Sequence, residues 1–423
     1  MKNILLFCLI ILGTITQAQP SRQGLNQMRG IFFDTIVIPS GNNSNCYIAY
    51  QTTCNRLVFV KDKDVFKTHF SLSIEVVDSL SGKVYREITD NEYSVKDFEE
   101  TNSENKYVQG VLKLSLPSGS YKVVPVIYDY NTSSEHVLSQ FDLKVTPPEL
   151  NWALSPIVLK ETLPGSNGAQ KRVLAGFDGN VPFSHEDYDM VIPVADTNVS
   201  SVFVELKNND SLIFKDSIKN SFVASLSFSP DKENIAAEYN SHGTLTRNFV
   251  LPKFNEKLQE GVLSISLENG KKGKTFFRRS VTWYNKPRSL NNLEYAVKVL
   301  KNIDGDNESQ KKDKAQNKMD YPQLLNYWKK FDPTPQTAYN ELMAEFYRRV
   351  DYAAMSFSLI SNPDGADTDR GRIYIKFGKP KSVERIYTGS KDVQEVWVYE
   401  EPNRQFIFVD KSGLGNFILN GKL

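Results

Sequence analysis

Apolar and polar residues alternate in several short stretches before residue 286, and this period of two most constrains the fold. Residues 70–76 place Phe, Leu, Ile and Val at the even positions and Ser, Ser and Glu at the odd ones. Residues 112–116 and 263–267 repeat the alternation with Leu and Ile. Successive side chains of a strand point to opposite faces, so the pattern is typical of half-buried strands. We therefore predict a fold that is mainly β in this part of the chain.

Two β modules are expected before residue 286. Thr146-Pro147-Pro148 is typical of a boundary, so we predict a first β-sandwich over residues 31–148 and a second over residues 149–286, both of the general immunoglobulin or transthyretin kind. The turn Pro117–Tyr121 leads into a strand and indicates a tyrosine corner, whose hydroxyl binds upstream backbone. Pro125 cannot donate to a sheet, so its strand is predicted to lie at an edge or to carry a bulge.

Helical spacing of apolar residues replaces the alternation after residue 286. We predict a helical connector over residues 287–335, with helices at Arg288–Leu300 and Tyr321–Phe331. A longer helix is predicted over Gln336–Ser358, where apolar side chains form one broad stripe, and Thr334 is expected to cap it.

A small sheet is expected after the long helix, completing an α+β domain over residues 336–423. Short turns favour an antiparallel meander packed against the helix. The predicted strands are Arg372–Phe377, Val383–Tyr387, Val393–Tyr399, Gln405–Val409 and Asn416–Leu419.

The first eighteen residues predict export. A basic start is followed by an unbroken apolar run, Ile4–Leu12, which is shorter than the roughly 20 residues of a membrane-spanning helix. Small residues at Thr16 and Ala18 suit a cleavage site before Gln19. We predict a signal peptide over residues 1–18, a mature protein that is periplasmic, at the cell surface or extracellular, and no membrane span after cleavage.

Cleavage would leave Cys46 and Cys54 in a compartment where disulfides persist. Along one strand their Cα atoms would be about 26 Å apart, whereas a disulfide needs roughly 4.4–6.8 Å. A turn between them would be required, and the strongest turn signal, Thr52–Asn55, contains Cys54 itself. Two free thiols are therefore slightly favoured over a bridge.

Charge and composition exclude some classes of function. The 423 residues carry 51 Lys and Arg against 50 Asp and Glu, and this balance argues against a nucleic-acid partner. A basic cluster at Lys271–Arg279 is interpreted as the solvated tip of a hairpin that turns at Asn269-Gly270. Three cysteines and four scattered histidines form no zinc motif, and no G-x-S-x-G or H-E-x-x-H pattern occurs, so no cofactor or metal is predicted.

Several blocks near the C terminus follow one another in a specific order. They are Asp332–Pro335, Asn340-Glu341, Glu345–Val350, Gly365–Pro380 and Glu395–Tyr399. Together, over roughly residues 287–420, they resemble the GWxTD-domain family of exported bacterial proteins. Ala366 stands where the family motif has Trp, so a role that needs the indole is not expected here. The resemblance implies a fold and an exported location, and it implies little about activity.

The motif and its surroundings supply candidate site residues. These are Gly365, Asp367, Thr368, Asp369, Arg370 and Gly371 in the motif, Glu345, Arg348 and Arg349 on the long helix, and Trp397 and Tyr399 on the sheet. With Asp364, the acids loosely resemble a calcium loop, but the D-x-D-x-D-G order is absent. We favour turn formation and ion pairing, with Asp367 or Asp369 bonded to Arg370, Arg372, Arg348 or Arg349.

The small sheet is rich in aromatic residues and is expected to be apolar on both faces. Trp397 and Tyr399 are predicted on one face, with Val396 and Val398 on the other, so both faces need cover. The long helix would cover one face, and the helices around Trp328 would cover the second. An open second face would instead be a docking surface for a protein or a glycan.

A non-catalytic binding or scaffolding role in the cell envelope is the leading hypothesis, because the β modules carry no recognisable catalytic constellation. The partner would be an envelope protein or a glycan. The alternative is a hydrolase acting on an envelope glycan or peptide through carboxylates drawn from Glu341, Glu345, Asp367, Asp369 and Glu395. A pocket at Asp364–Arg372 would favour the alternative.

Overall fold

The computed structural model of the chain describes residues 31–103, 106–147, 150–162, 171–177, 179–304, 319–387, 392–401 and 403–421. The chain divides into two units. One comprises the residues up to Pro147 together with Ser229–Ile235, and the other comprises Pro148–Phe228 together with Ala236–Leu423. The predicted signal peptide, residues 1–18, lies outside the described residues. Within those ranges, no helix has the length and apolar character needed to cross a membrane.

In its described residues, the first unit contains two antiparallel sheets and one short α-helix, α1 (Phe98–Thr101). The smaller sheet has the order β1 (Ile31–Ser40), β2 (Asn43–Thr53) and β6 (Tyr107–Leu116). The larger sheet has the order β3 (Val60–Asp62), β4 (Val65–Asp78), β7 (Gly119–Asp129) and β8 (Ser134–Val137), with β5 (Val84–Val95) beside β4 and β9 (Phe141–Val145) beside β7.

Alternate residues of the two sheets meet in one core. The apolar residues of Phe70–Val76 on β4 are all buried, as their spacing predicts, and Leu114 of β6 joins the same cluster from the other sheet. Tyr121 Oη donates a hydrogen bond to the backbone oxygen of Pro117 (2.7 Å), which is the contact expected of a tyrosine corner. The immunoglobulin or transthyretin kind of this module stays a prediction.

Pro125 lies in a central strand, so the predicted edge position is wrong. β7 pairs with β4 on one side without a bulge, and on the other side with β9 as far as Val123 and with β8 from Val126. On that second side the Pro125 oxygen accepts a hydrogen bond from the Leu138 amide. Because N and O of one strand residue point to the same side, the proline nitrogen faces the junction between β9 and β8, where no donor is needed.

Cys46 and Cys54 are free, buried thiols, as the sequence slightly favoured. Cys46 lies within β2, and Cys54 begins a 3₁₀ turn, Cys54–Arg56, directly after that strand. Burial raises the pKa of the Cys46 thiol to about 12 and also raises that of Cys54. Both groups are therefore protonated and unreactive near neutral pH.

The second β module is a closed barrel with a separate five-stranded sheet, not a simple sandwich. The barrel has the order β10 (Ile157–Glu161), β11 (Arg172–Leu174), β17 (Asn234–Asn240), β16 (Ser221–Asp231), β18 (Thr246–Leu251) and β13 (Asp189–Val194). The sheet has the order β12 (Asn180–Pro182), β20 (Gly273–Thr282), β19 (Gly261–Asn269), β14 (Val202–Asn208) and β15 (Ser211–Ile218). Alternation shows only that each strand is half buried, so it could not show that β13 pairs with both β10 and β18.

The hairpin of β19 and β20 turns close to the predicted position but through a longer loop. Asn269 pairs with Gly273, which leaves a three-residue loop, Gly270–Lys272. Gly273 has a φ of 90°, a conformation that costs glycine little. Lys272 forms an ion pair with Asp196 (2.8 Å), in keeping with a solvated hairpin tip.

Short helices follow the β module. The helix expected at Arg288–Leu300 is divided into a 3₁₀ turn, Arg288–Asn291, and α2 (Leu293–Lys298), after which comes α3 (Lys301–Asp304). The helix predicted at Tyr321–Phe331 is confirmed as α4 (Tyr321–Trp328) with a terminal 3₁₀ turn, Lys329–Phe331. Residues 305–318 of the predicted connector lie outside the described residues.

The long helix α5 (Glu341–Ser356) begins later than the predicted start at Gln336. Asn340, and not Thr334, caps it, since Asn340 Oδ1 accepts the amide of Met343 (2.8 Å). Thr334 instead donates its hydroxyl to the Glu341 carboxylate (2.7 Å). Thr and Asn are both good capping residues, but Thr334 alone was expected as the cap, and the helix begins after Asn340.

The C-terminal sheet is an antiparallel meander, as predicted. Its order is β21 (Ser382–Tyr387), β22 (Val393–Tyr399), β23 (Arg404–Asp410) and the short β24 (Ile418–Leu419). The strand predicted at Arg372–Phe377 is wrong, because these residues belong to helix α6 (Asp369–Phe377). Ile373 and Ile375 favour strands, but a capped N terminus and burial in the same cluster as α5 outweigh that preference.

Candidate functional site

Two glycines of the motif segment allow the backbone to pack closely. A Cβ on Gly365, which begins a 3₁₀ turn (Gly365–Asp367), would lie 2.2 Å from the backbone oxygen of Ala353 in α5. A Cβ on Gly371 in α6 would lie 2.0 Å from the backbone oxygen of Gly365. Backbone atoms cannot swing aside as side chains do, so only glycine fits at either position. Ala366 is completely buried between them, where the family motif has Trp.

Thr368 and Asp369 fasten the beginning of α6. The Thr368 hydroxyl accepts the amide of Gly371 (3.0 Å) and donates to the backbone oxygen of Gly365 (2.7 Å). Asp369 Oδ2 accepts the amide of Leu419 in β24 (2.9 Å), and its charge lies at the positive end of the helix dipole. The two residues therefore tie the helix to the preceding turn and to the sheet.

The acids Asp364 and Asp367 pair with lysines, and for Asp367 this corrects the predicted pairing with an arginine. Lys298 Nζ lies 2.9 Å from Asp364 Oδ2 and 2.8 Å from Asp367 Oδ2. Lys301 Nζ lies 2.8 Å from Asp367 Oδ1, and Tyr295 Oη donates to Asp364 Oδ1 (2.9 Å). Tyr295 and Lys298 belong to α2, and Lys301 belongs to α3. The sequence assigned both helices only to a connector. Arg372 Nη2 donates a hydrogen bond to the backbone oxygen of Asp367 (3.1 Å).

The electrostatic balance at Asp367 favours its charged form. Burial raises the pKa of this carboxyl, but hydrogen bonds from Lys298 and Lys301 outweigh that effect, so the net pKa lies below its ordinary value. An acid held in the ionised form between two ammonium groups is a poor proton donor near neutral pH. These contacts join the Asp367 turn to the residues of α2 and α3.

Arg370 forms a buried ion pair with Glu395, which is 2% exposed. The carboxylate of Glu395 accepts the Arg385 Nε (3.0 Å) and the Trp397 Nε1 (2.7 Å), and it lies 3.5 Å from Arg370 Nη1. The guanidinium of Arg370 lies over the rings of Phe357 and Phe417, 5.1 and 4.4 Å from their centroids. Cation–π contacts and hydrogen bonds compensate the burial of this charge.

Arg348 and Arg349 of α5 share the carboxylate of Glu345. Glu345 lies 2.7 Å from Arg349 Nε and 3.3 Å from Arg348 Nη1. Arg348 also donates to the Tyr339 hydroxyl (3.0 Å). Because one carboxylate faces two guanidinium groups, this part of the helix carries an excess of positive charge.

Trp397 and Tyr399 pack inside the domain, on the face of the sheet that the helices cover. The Trp397 ring lies 5.5 Å from that of Phe357 and 4.9 Å from that of Phe408. Tyr399 Oη donates to the backbone oxygen of Gly378 (2.9 Å). Phe357 directly follows α5, and the ring of Phe377 in α6 lies 5.7 Å from that of Tyr399, so Trp397 and Tyr399 belong to the core that these two helices share with the sheet.

The opposite face of the sheet was expected beneath the helices around Trp328, and this expectation is wrong. Trp328 packs against Phe346 and Tyr347 of α5, with ring centroids 5.1 and 5.7 Å away. On the far face of the sheet, Val396 on an inner strand is 6% exposed, whereas Ile386 and Ile418 on the two outer strands are 44% and 56% exposed. In the described part of the domain this face is therefore buried at its centre and open towards its edges.

A groove of about 210 Å³ lies where α3, α4, α5 and α6 meet. Its apolar wall consists of Ile303, Trp328, Phe331, Leu342, Phe346 and Ile375, and its polar residues are Asn302, Glu345, Arg349 and Lys376. Sequence reasoning anticipated Glu345 and Arg349 as site candidates but missed the groove itself. The sequence carried no signal for the groove, because Leu342 belongs to the apolar stripe of the long helix and only the structure shows that it is 46% exposed.

The comparisons with known proteins agree with this part of the structure. Residues 264–418 match the family model described as the GWxTD domain, a range that begins in β19 and ends in β24. No curated protein matches the chain. The match includes every motif residue described above, and the resemblance seen in the sequence is confirmed. This stretch, a little over a third of the chain, is therefore similar to the GWxTD domain.

Proposed function

We propose that the chain is an exported cell-envelope protein whose GWxTD domain binds a ligand or partner and does not catalyse a reaction. The observation that carries this proposal is the contrast within one domain between the motif acids and the groove. The motif acids are engaged in contacts that hold the domain together, whereas the groove is open and mostly apolar.

The geometry gives little support to hydrolysis through the acids considered. Glycosidases use a pair of carboxyl groups on either side of the scissile bond. Among those acids, Glu345 is the one that lines the groove, and it is bound to Arg348 and Arg349. Asp369 accepts a hydrogen bond from an amide of β24, and Glu395 forms ion pairs with two arginines. A binding role fits these contacts better.

Binding at the groove is testable by photo-crosslinking in cells. A photoreactive phenylalanine analogue would replace Leu342 in the groove, and the control would carry it at Leu414, which is 84% exposed and outside the groove. We expect a discrete crosslinked product from position 342 that position 414 does not give. The same product from both positions, or none from position 342, would contradict a binding role for the groove.

Export is supported by the charge and apolar run at the N terminus and is testable separately. We expect the protein in the envelope or medium fraction with an N terminus at Gln19. Charges introduced by Leu5→Arg and Leu6→Arg should interrupt the apolar run and keep the chain in the cytoplasm. Unprocessed wild-type protein in the cytoplasm would contradict this part of the proposal.

A further inference from the structure

We propose that the groove accepts a small aromatic compound bearing a carboxylate, of the size of a phenylalkanoate. This inference rests on the proposed binding function and specifies its ligand. Size, charge and an unpaired hydrogen-bond donor each point to this chemistry.

The dimensions and wall of the groove suit one aromatic ring. A closed apolar cavity of about 150 Å³ can hold benzene, so 210 Å³ leaves room for a ring and a short chain. The rings of Trp328 and Phe346, whose centroids are 5.1 Å apart, offer faces and edges for aromatic contacts. Leu342 and Phe331 are 46% and 42% exposed, so part of the apolar wall is accessible from solvent, as a ligand pocket requires.

The charge at the groove favours an anion. Arg349 and Lys376 both line it, and Glu345 is its acidic residue. Glu345 is already shared between Arg349 and Arg348. No ion pair joins Lys376 to an acid among the described residues. A carboxylate would therefore enter a region of net positive charge with a cation available to it.

Asn302 is a second polar residue of the groove that favours a carboxylate. Its Nδ2 is buried and has no hydrogen-bond partner in the described structure, although the residue lines the groove. Buried donors are normally satisfied, and an unmade bond is costly. A rotation of the Asn302 side chain towards the groove would bring this donor to a carboxylate oxygen, whereas a wholly apolar ligand offers it no acceptor.

The test uses 4-phenylbutyrate as the probe and the mature chain, residues 19–423, in calorimetric or NMR titrations. We expect a Kd on the order of 0.1–1 mM, as suits a ligand of this size. The neutral alcohol 4-phenylbutan-1-ol should bind roughly tenfold more weakly, because it lacks the charge. Leu342→Trp, which places a larger side chain in the groove, should abolish binding of both probes.

Charge variants separate specific from nonspecific attraction. Lys376→Gln should weaken 4-phenylbutyrate binding by about threefold, the range expected for an exposed cation. Lys411→Gln removes the same charge from an exposed residue outside the groove and should leave the Kd unchanged. Asn302→Leu should weaken binding of the acid more than that of the alcohol.

The proposal is overturned if 4-phenylbutyrate does not bind, if it binds wild type and Leu342→Trp equally, or if the alcohol binds as tightly as the acid. These results leave the crosslinking test at Leu342 intact. A crosslinked partner that 4-phenylbutyrate does not displace would support the binding function and refute the ligand class.

Discussion

At the scale of single residues, the motif is explained by close packing and by fixed hydrogen bonds. Gly365 and Gly371 bring backbone segments to distances that no other residue permits. Thr368, Asp367 and Asp369 each bind partners within the domain. These contacts account for the order of residue types in the motif without requiring a reaction.

Gly365→Ala should destabilise the domain strongly, by about 3 kcal/mol or more, because its Cβ would overlap the Ala353 oxygen and the α5 terminus would have to move. Gly270→Ala is the matched control, since a Cβ there has open space, and it should change stability by less than about 0.5 kcal/mol. Chemical denaturation of both variants measures the difference. Equal stabilities would show that the close approach at Gly365 is not required.

Asp367 should make the free energy of unfolding depend on pH in the acidic range. Its folded-state pKa is lowered, so its contribution is complete above the unfolded pKa of about 3.9 and is lost as pH falls through the folded-state value. Asp367→Asn should reduce stability by roughly 1 kcal/mol near pH 7 and flatten the decline below about pH 5. The control Asp210→Asn changes an exposed turn residue and should retain the wild-type slope. Parallel slopes for wild type and Asp367→Asn would contradict the pairing with Lys298.

At the scale of elements, helix α6 shows why local propensity misled the prediction. The sequence Ile373-Tyr374-Ile375 is typical of a strand, yet Thr368 provides a cap and Asp369 a favourable charge at a helix N terminus. Ile373 and Ile375 also pack in the core to which α5 contributes, and this packing adds to the preference for a helix. The capping residues were visible in the sequence, but their effect depended on the tertiary contacts of the two isoleucines.

Thr368→Ala should lower the stability of the domain by about 1 kcal/mol, since the Gly371 amide would lose its acceptor and the Gly365 oxygen its donor. Thr368→Ser keeps the hydroxyl and should recover most of the loss. Thermal denaturation followed by helical circular dichroism tests both variants. If the Ser variant were as unstable as the Ala variant, the lost methyl group and not the cap would be responsible.

At the scale of the whole molecule, the fold rests on its cores and not on a cross-link. The first unit draws residues of two sheets into one cluster, and the second unit has its own clusters around the barrel, the sheet and the helices. Cys46 and Cys54 are buried as separate thiols. Export into an oxidising compartment, as proposed, therefore does not imply a disulfide.

Reducing agent should leave the melting temperature unchanged, within about 1 °C, because Cys46 and Cys54 are not bridged and so do not constrain the unfolded chain. A thiol reagent should label the native protein slowly and the unfolded protein at both cysteines, since burial raises both thiol pKa values. A fall in melting temperature on reduction, together with unlabelled unfolded protein, would indicate a bridge.

The sequence by itself determined the β character of the described residues between 31 and 285, the tyrosine corner, the main helices and most of the C-terminal meander. These features follow from local periodicity and turn chemistry, which are properties of neighbouring residues. Only the tertiary structure decided the barrel closure, the central position of Pro125, the helical state of Asp369–Phe377 and the lysine partners of Asp364 and Asp367. The groove belongs to this second group, because its wall combines side chains of four helices whose meeting depends on packing between residues far apart in the chain.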